Sequence, residues 1–213
     1  MTKPRNLPVE IWDMIFLNLD YETLRKTRKL QSDYVKKATK FNVMNDAAKE
    51  GNYENMIWLK KNGCKYDTFD FSYAAKVGGL KVIKILKEND FPWDGWVSWF
   101  AAKKCDIETL TWLKENGCPI FYYDATRFAI EKNNVEMLRW IHENGHKFHR
   151  NRFIEAVQKG NIKVLNFFKE IDCSYHYSLM EHYAGKNCEP KKKSKIQKWV
   201  KENLDMNRKD ESD

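Results

Sequence analysis

The feature that most constrains this chain is an internal repeat. A small-residue pair opens each line: "AAKEGNYENMIWLKKNGC" begins at position 47, "AAKVGGLKVIKILKENDF" at 74 and "AAKKCDIETLTWLKENGC" at 101. Then "AIEKNNVEMLRWIHENGH" begins at 129, "AVQKGNIKVLNFFKEIDC" at 156, and a decayed sixth line, "AGKNCEP", at 184, which resumes after a predicted insertion, "KKKSK", as "IQKWVKENL". The lines are therefore 27 or 28 residues apart. So short a period indicates stacked supersecondary units that share one core.

Each line is predicted to form a helix–turn–helix. The first helix should end at the small pair, where alanine lets a neighbouring helix approach closely. A left-handed turn residue is expected next, with a different turn where cysteine replaces glycine or asparagine. These positions are Gly51, Gly78, Cys105, Asn133, Gly160 and Cys188. The second helix carries apolar residues at helical spacing, as at Met56, Trp58 and Leu59, or at Leu110, Trp112 and Leu113, and these are interpreted as core. It should end at Asn-Gly, at 62–63, 116–117 and 144–145.

Two sets of reactive side chains occupy equivalent positions of the repeat, where other residue types also occur. Cysteine at positions 64, 118 and 173 is replaced by phenylalanine at 91 and histidine at 146, so this position is predicted to be a packing site and not a nucleophile. Lysine at 60, 87, 114 and 169 alternates with His142 and is followed by mixed charges. Such a stripe is typical of a solvated outer face.

Composition excludes several classes of protein. Apolar residues make up 42% and aromatic residues 14%, which is enough for a core. No apolar run is long enough for a membrane span, and the first residues lack the apolar stretch of a signal peptide. Five cysteines without a CxxC pair favour a reducing compartment, the cytoplasm or nucleus. The net charge of +8 comes from the ends: residues 43–189 hold 21 basic and 20 acidic residues.

The repeated lines resemble the ankyrin repeat, whose small pair, glycine turn and helix stop they reproduce over residues 41–204. The resemblance implies an all-α, ankyrin-like helix-turn-helix solenoid, with repeats in 41–189 and a degenerate capping repeat and charged tail in 190–213. The unit is shorter than the usual 33 residues, and the deficit falls where the family builds its β-hairpin finger. The "FPWD" after the second line resembles a short variant found in large DNA viruses of protists. That variant implies a virus-infected host cell.

Residues 1–40 lie outside the repeat and are predicted to form a small helical module. "LPVEIWDMIFLNLD" places apolar residues on one helical stripe and resembles the opening of an F-box. The resemblance implies docking on the Skp-type linker of a cullin ubiquitin ligase. The residues that would dock are Leu7, Pro8, Ile11, Ile15, Phe16 and Leu19. The second half, "RKLQSDYVKKATKF", departs from the family pattern. The alternative is an amphipathic cap that shields the first repeat.

The sequence contains few motifs that would indicate a catalytic or metal-binding site. His142 and His146 are four residues apart, as zinc ligands on a helix can be, with His149 close by. Gly145 should end the helix before His146, however, and no acidic or cysteine ligand has metal spacing nearby. No phosphate loop, nucleophile elbow or paired-carboxylate motif is present. We therefore expect no enzymatic activity, no cofactor and no metal.

Partners are expected along the concave surface that a solenoid presents. Because the β-hairpin fingers are short, exposed inner-helix positions and aromatic residues of the loops should supply most of the contacts to a partner. The predicted target-binding residues are Lys49, Lys76, Lys103, Lys104, Lys132, Lys159, Trp93, Tyr122 and Tyr123. His149 is a further exposed candidate, whereas Phe100, Phe128 and Trp96 are interpreted as core.

The sequence therefore predicts a protein–protein adaptor, monomeric on its own, that recruits a target to a ubiquitin ligase. The alternative is an ankyrin-type binding or scaffold protein without a ligase link. A third class, a nucleic-acid-binding protein, would use the basic ends, including "KKKSK" at 191–195. The near-neutral middle argues against a nucleic-acid groove in the repeats.

Overall fold

A computed structural model describes residues 43–171 and 190–204, which form ten α-helices and no strand. The all-α prediction is confirmed for these residues. The helices are α1 Val43–Glu50, α2 Tyr53–Lys61, α3 Thr68–Glu88, α4 Gly95–Lys104, α5 Ile107–Glu115, α6 Tyr122–Glu131, α7 Val135–Glu143, α8 Arg150–Lys159, α9 Ile162–Glu170 and α10 Pro190–Leu204. The predicted module at 1–40, and Cys173 and Cys188, lie outside the described residues. Among the described helices, none combines the length and apolar character needed to cross a membrane.

The chain divides into two compact units. Among the described residues, the first comprises 43–101 with 111–120, and the second comprises 102–110 with 121–171 and 190–204. In the first unit, α1 packs on α2 and α3, and α2 packs on α3. In the second, α6 packs on α7, α8 packs on α9, and corresponding helices of these successive pairs meet, α6 with α8 and α7 with α9. The domain boundaries expected at 40 and 189 stay predictions.

The small pairs are buried as predicted. Ala48, Ala74 and Ala129 are fully buried, and Ala156 and Val157 fill the same positions of the fifth line. Each first helix nevertheless continues beyond its pair, as α1 does to Glu50. The pair therefore supplies close packing, while the turn that follows ends the helix.

The second helices end in the way that Asn-Gly predicts. At the end of α2 the amide of Cys64 donates to the Leu59 carbonyl and that of Gly63 to the Lys60 carbonyl, both at 3.0 Å. Gly63 has a φ of 78°, so this is a Schellman cap. The side-chain amide of Asn62 also donates to the Trp58 carbonyl, at 2.8 Å. The same side-chain bond recurs at Asn89, Asn116, Asn144 and Asn203. The recurrence at 203 shows that α10 ends like the second helices of the other lines.

The turn between the two helices is left-handed at most predicted positions. Gly51, Asn133 and Gly160 have φ values of 71°, 52° and 68°. The expectation of a different turn at cysteine is wrong for Cys105, whose φ is 58°. Its backbone is held in a conformation that costs about 1–2 kcal/mol outside glycine, and the next residue, Asp106, caps the start of α5. The Asp106 carboxylate accepts from the Thr109 amide at 3.0 Å.

In the second line, the turn residue with positive φ lies one position later than predicted. Gly79, not Gly78, has the positive φ (61°, with ψ of −155°), and it breaks α3 into two arms, 68–78 and 80–88. A Cβ on Gly78 would lie 2.6 Å from the Cβ of Val82. Gly78 is therefore required for a close approach and Gly79 for its backbone conformation.

Two further expectations are corrected. The "KKKSK" segment at 191–195 is not a loop insertion but belongs to α10, whose first residue, Pro190, suits a helix start. Trp112 is half-buried and not core: the Lys84 ammonium lies 5.8 Å from its ring centre. Its neighbours in α5, Leu110 and Leu113, are fully buried as predicted.

Candidate recognition surfaces

An exposed group of rings and lysines lies on α1, α3 and α4 of the first unit. Lys49 and Lys76 are both exposed, as predicted. The Lys49 ammonium lies 5.9 Å from the ring centre of Tyr73, and that of Lys76 lies 5.6 Å from the ring centre of Phe100. Each lysine therefore reaches the aromatic residue that precedes the next small pair, at a distance where a cation and a ring attract.

Further rings make this surface continuous. Phe69 is 52% exposed and Trp96 41% exposed, with their ring centres 6.4 Å apart. Trp99 lies 5.7 Å from Trp96 and 5.2 Å from Phe100, and Tyr73 lies 6.3 Å from Phe100. We call this set the aromatic–lysine patch: Lys49, Phe69, Tyr73, Lys76, Trp96, Trp99 and Phe100. The interpretation of Trp96 and Phe100 as core is wrong, since Trp96 is exposed and Phe100 half-buried.

Trp93 is not the exposed contact that the sequence suggested. It is half-buried, with its ring edge-on to Phe71 at 5.9 Å and to Trp112 at 5.8 Å. The Lys87 ammonium lies 4.2 Å from its ring centre. Trp93 therefore packs within the first unit, and a role in target binding stays a prediction.

The predicted residues of the second unit differ in exposure. Lys103, Lys104, Lys132 and His149 are exposed, whereas Lys159 is half-buried. Phe128 is 5% exposed, as its interpretation as core requires. Tyr123 is 68% exposed. Tyr122 is half-buried, contrary to expectation, because its ring stacks on His146 at 5.2 Å and on Trp140 at 6.1 Å.

Arg152 is a residue of this unit that the sequence analysis missed. Its side chain is 9% exposed, and its guanidinium carbon lies 4.0 Å from the ring centre of Tyr123. Nη1 donates to a Glu155 carboxylate oxygen, whereas the buried Nη2 has no hydrogen-bond partner. The repeat offered a signal: four residues before the small pairs of the other lines stand Val43, Asp70, Val97 and Ala125, none of them basic.

The cysteine position is a packing site, as predicted. Cys64 and Cys118 are each 5% exposed and Phe91 is 1% exposed. Burial raises the pKa of the Cys118 thiol to about 11, and the nearby Asp94 carboxylate acts in the same direction. Burial also raises the pKa values of Cys64 and Cys105. All three described cysteines are free thiols.

The histidines at 142 and 146 are engaged in packing contacts with aromatic rings. His142 is exposed, and its ring stacks on Phe148 at 6.1 Å. Burial, with a smaller effect of the Arg152 charge, lowers the pKa of His146. Within 43–171 and 190–204, no three histidine, cysteine or acidic residues are grouped as metal ligands would be.

The lysine stripe is more than a solvated face. The Lys60 ammonium is half-buried and donates to the carbonyls of Asn89 and Asp90, at the C-terminal end of α3. A cation there complements the negative end of the helix dipole. In the second unit, the ammonium of Lys169 donates to the side-chain oxygen of Asn203, at 3.0 Å and near the end of α10.

The residues predicted to dock on a ligase linker, Leu7 to Leu19, lie outside the described part of the chain. Their docking and the F-box resemblance therefore stay predictions. Comparison with known proteins assigns no family, since no family model matches this chain and no curated protein is significantly similar to it.

Proposed function

We propose that this protein is a non-enzymatic adaptor built on short ankyrin-type repeats. Its inner helices bind a target protein, and its N-terminal segment docks on the Skp-type linker of a cullin ubiquitin ligase. The adaptor thereby brings the target to the ligase for ubiquitination.

The aromatic–lysine patch is the observation that carries the target-binding half of this proposal. Of the five large hydrophobic side chains that are exposed among the described residues, Phe69, Val77 and Trp96 belong to α3 and α4. Exposed aromatic residues are costly in water and are the residues that most often anchor protein interfaces. Lysines above the rings add charge, which steers association and fixes the orientation of a partner.

The ankyrin-type architecture is supported by the recurring helix ends. The left-handed turn after the first helix and the Asn-capped end of the second recur at the 27–28 residue period. In the second unit, first helices meet first helices and second helices meet second helices. Stacked helix pairs of a repeat protein make these contacts.

The ligase half of the proposal rests on the sequence of residues 7–20. The pattern Leu-Pro-x-Glu-Ile, followed by Ile-Phe and Leu-Asp, is the opening of an F-box, and it precedes the repeats as a docking module would. If these residues only cap the repeats, the protein is a binding or scaffold protein without a ligase link.

Target binding is tested by isolating the partner with the full-length protein and comparing variants of the patch. Phe69→Ser with Trp96→Ser should abolish capture, since it removes the apolar anchors. Lys49→Ala with Lys76→Ala should weaken it and reduce its dependence on salt. Lys61→Ala with Lys81→Ala is the matched control, since it removes two exposed lysines outside the patch. Full capture by the Phe69/Trp96 variant, folded by circular dichroism, would contradict the proposed surface.

Ligase docking is tested separately by co-purification of the full-length protein with a Skp-type linker. The wild type should co-purify, and Ile15→Asp should not, because a carboxylate cannot be buried in an apolar helix interface without a partner. Target capture by Ile15→Asp should remain unchanged. Absence of the linker from the wild-type complex would leave the binding or scaffold function in place.

A further inference from the structure

The second unit contains a buried positive charge that its own structure does not satisfy. Arg152 is 7% exposed, and Nη1 pairs with Glu155 while Nη2 has no hydrogen-bond partner. The guanidinium presents five N–H donors and no acceptor. A buried donor without a partner destabilises the folded state, and more so when it is charged. Such a group in a folded protein requires an explanation, of which an absent ion is one.

Arg152 lies between the first turns of two helices. Arg152 lies in the first turn of α8, and its guanidinium lies against Tyr123, in the first turn of α6. Helices α6 and α8 pack on each other. The N-cap residues, Phe121 and His149, make no side-chain capping bond. The first N–H groups of a helix have no partner further along it, and the helix dipole makes that end attractive to anions. In α8 the amide of Arg152 already donates to the His149 carbonyl, at 2.8 Å, so the donors considered at this end are the amides of 150 and 151.

The sequence around Arg152 is mainly basic. The segment at 146–152, "HKFHRNR", holds Lys147, Arg150 and Arg152 with two histidines. Two carboxylates of α6 and α8 already have partners. Glu155 pairs with Arg152, and Asp124 lies 3.4 Å from an Arg127 nitrogen.

We propose that Arg152 and the N-terminal ends of α6 and α8 form a binding site for a phosphate-type oxyanion. Nη2 supplies a charge-assisted hydrogen bond and the helix ends supply backbone N–H donors. The Tyr123 ring lies across the guanidinium and is mostly exposed, so it can turn aside to admit the anion without disturbing the core. The site depends on none of the patch residues or the F-box-like segment.

The test measures binding of inorganic phosphate, phenyl phosphate and acetate to the full-length protein, with chloride holding the ionic strength constant. Two readouts are used: the rise in melting temperature, and the amide NMR shifts of residues 122–124 and 150–152. Phosphate should raise the melting temperature and produce saturable shifts at these amides. Acetate should act far more weakly. Tighter binding of phenyl phosphate than of inorganic phosphate would identify a phosphomonoester on a partner as the source; the reverse would identify free phosphate.

Three variants decide the assignment. Arg152→Gln should weaken phosphate binding by about ten- to a hundred-fold, the usual effect of losing charged hydrogen bonds. Arg152→Lys keeps the charge but not the planar donor group and should also bind weakly, which covers the case in which Arg152→Gln does not fold. Arg139→Gln is the control, since it removes an exposed arginine of the same unit and should bind as the wild type does. Tyr123→Ala should bind at least as tightly.

Three results would overturn the site. The first is phosphate binding by Arg152→Gln or Arg152→Lys with wild-type affinity. The second is a wild-type melting temperature that phosphate raises no more than chloride does. The third is equal binding of acetate and phosphate, which would indicate a general anion effect.

Discussion

The indole N–H of Trp199 donates a hydrogen bond to the side-chain oxygen of Asn166, 2.6 Å away. This bond joins α10 to α9. The position of Asn166 is filled in earlier lines by Lys84 and Arg139, and their cations also lie over the aromatic residue of the following line, 5.8 Å from Trp112 and 5.3 Å from Phe167. The same repeat position therefore contacts the second helix of the following line in three cases, twice by a cation over a ring and once by a hydrogen bond. The hydrogen bond is made to the tryptophan of the sixth line.

Removing Asn166 should destabilise the second unit more than its exposure suggests. In Asn166→Ala, the N–H of Trp199, a residue only 6% exposed, loses its partner. We expect a loss of about 1–3 kcal/mol in the free energy of unfolding. Trp199→Phe removes the donor itself, so the double variant should lose less than the sum of the two single losses, with a coupling of about 1 kcal/mol. Urea unfolding measures these values.

Lys198→Ala is the control for this cycle, because Lys198 lies on the same helix with its side chain 75% exposed. It should change the stability by no more than about 0.5 kcal/mol. Additive losses in the double variant would show that the Trp199–Asn166 bond contributes nothing to stability.

The two kinds of glycine in this chain should respond differently to alanine. In Gly78→Ala the new methyl group would lie 2.6 Å from Cβ and 2.1 Å from Cγ2 of Val82, which is 4% exposed and cannot move freely. In Gly63→Ala the methyl group meets nothing within 4 Å, and the cost is the positive φ of 78° alone. We expect Gly63→Ala to cost about 1–2 kcal/mol, and Gly78→Ala to cost more because overpacking adds about 1–3 kcal/mol.

Gly78→Ala with Val82→Ala separates the two effects. Removing the methyl groups that clash should recover part of the loss caused by Gly78→Ala, while Val82→Ala should recover nothing from Gly63→Ala. Thermal unfolding of the four variants tests this. Equal losses in Gly78→Ala and Gly63→Ala would refute the close approach as the reason for Gly78.

The buried cysteine of the third line should be chemically inert in the folded protein. Burial raises the pKa of Cys118 to about 11 from its ordinary value of 9.0, and the thiolate is the reactive form. At pH 8 this shift lowers the thiolate fraction about a hundred-fold, and burial limits access further. Alkylation by iodoacetamide, followed by peptide mapping, should modify Cys118 only after unfolding. Modification at the rate of a free thiol under native conditions would contradict the packing assignment.

The repeat made much of the local structure predictable. A residue that recurs in phase must meet a recurring environment, so the buried alanine pairs, the left-handed turns at Gly51 and Gly160, and the Asn-Gly helix ends all follow from one alignment. Gly78 could not be distinguished from Gly79 in this way. The choice between them depends on Val82, four residues further along α3.

The candidate surfaces were less predictable, because exposure depends on neighbouring lines. The lysines at 49 and 76 were located correctly by their position after the small pair. Trp93 and Trp96 were assigned the wrong way round, since the sequence does not show that Phe71 and Trp112 enclose the first and leave the second outside. The burial of Arg152 depends on a ring 29 positions earlier, which no local pattern indicates.

His146 should make the stability of the second unit depend on pH. Burial lowers its pKa below the ordinary value of 6.5, with a further lowering by the Arg152 charge, so the folded state favours the neutral ring, stacked on Tyr122. Between 6.5 and the lower folded pKa the unfolded chain binds more protons than the folded one. Its contribution to stability is therefore complete above 6.5 and is lost as the pH falls through this interval. His146→Phe, the residue found at position 91, should remove this loss, and the free energy of unfolding measured from pH 7.5 to 5 tests it. At pH 7.5, the difference in unfolding free energy between the wild type and His146→Phe reflects packing alone. The change in that difference at lower pH reflects protonation of His146. If that change is absent, the neutral state of His146 does not contribute to folding.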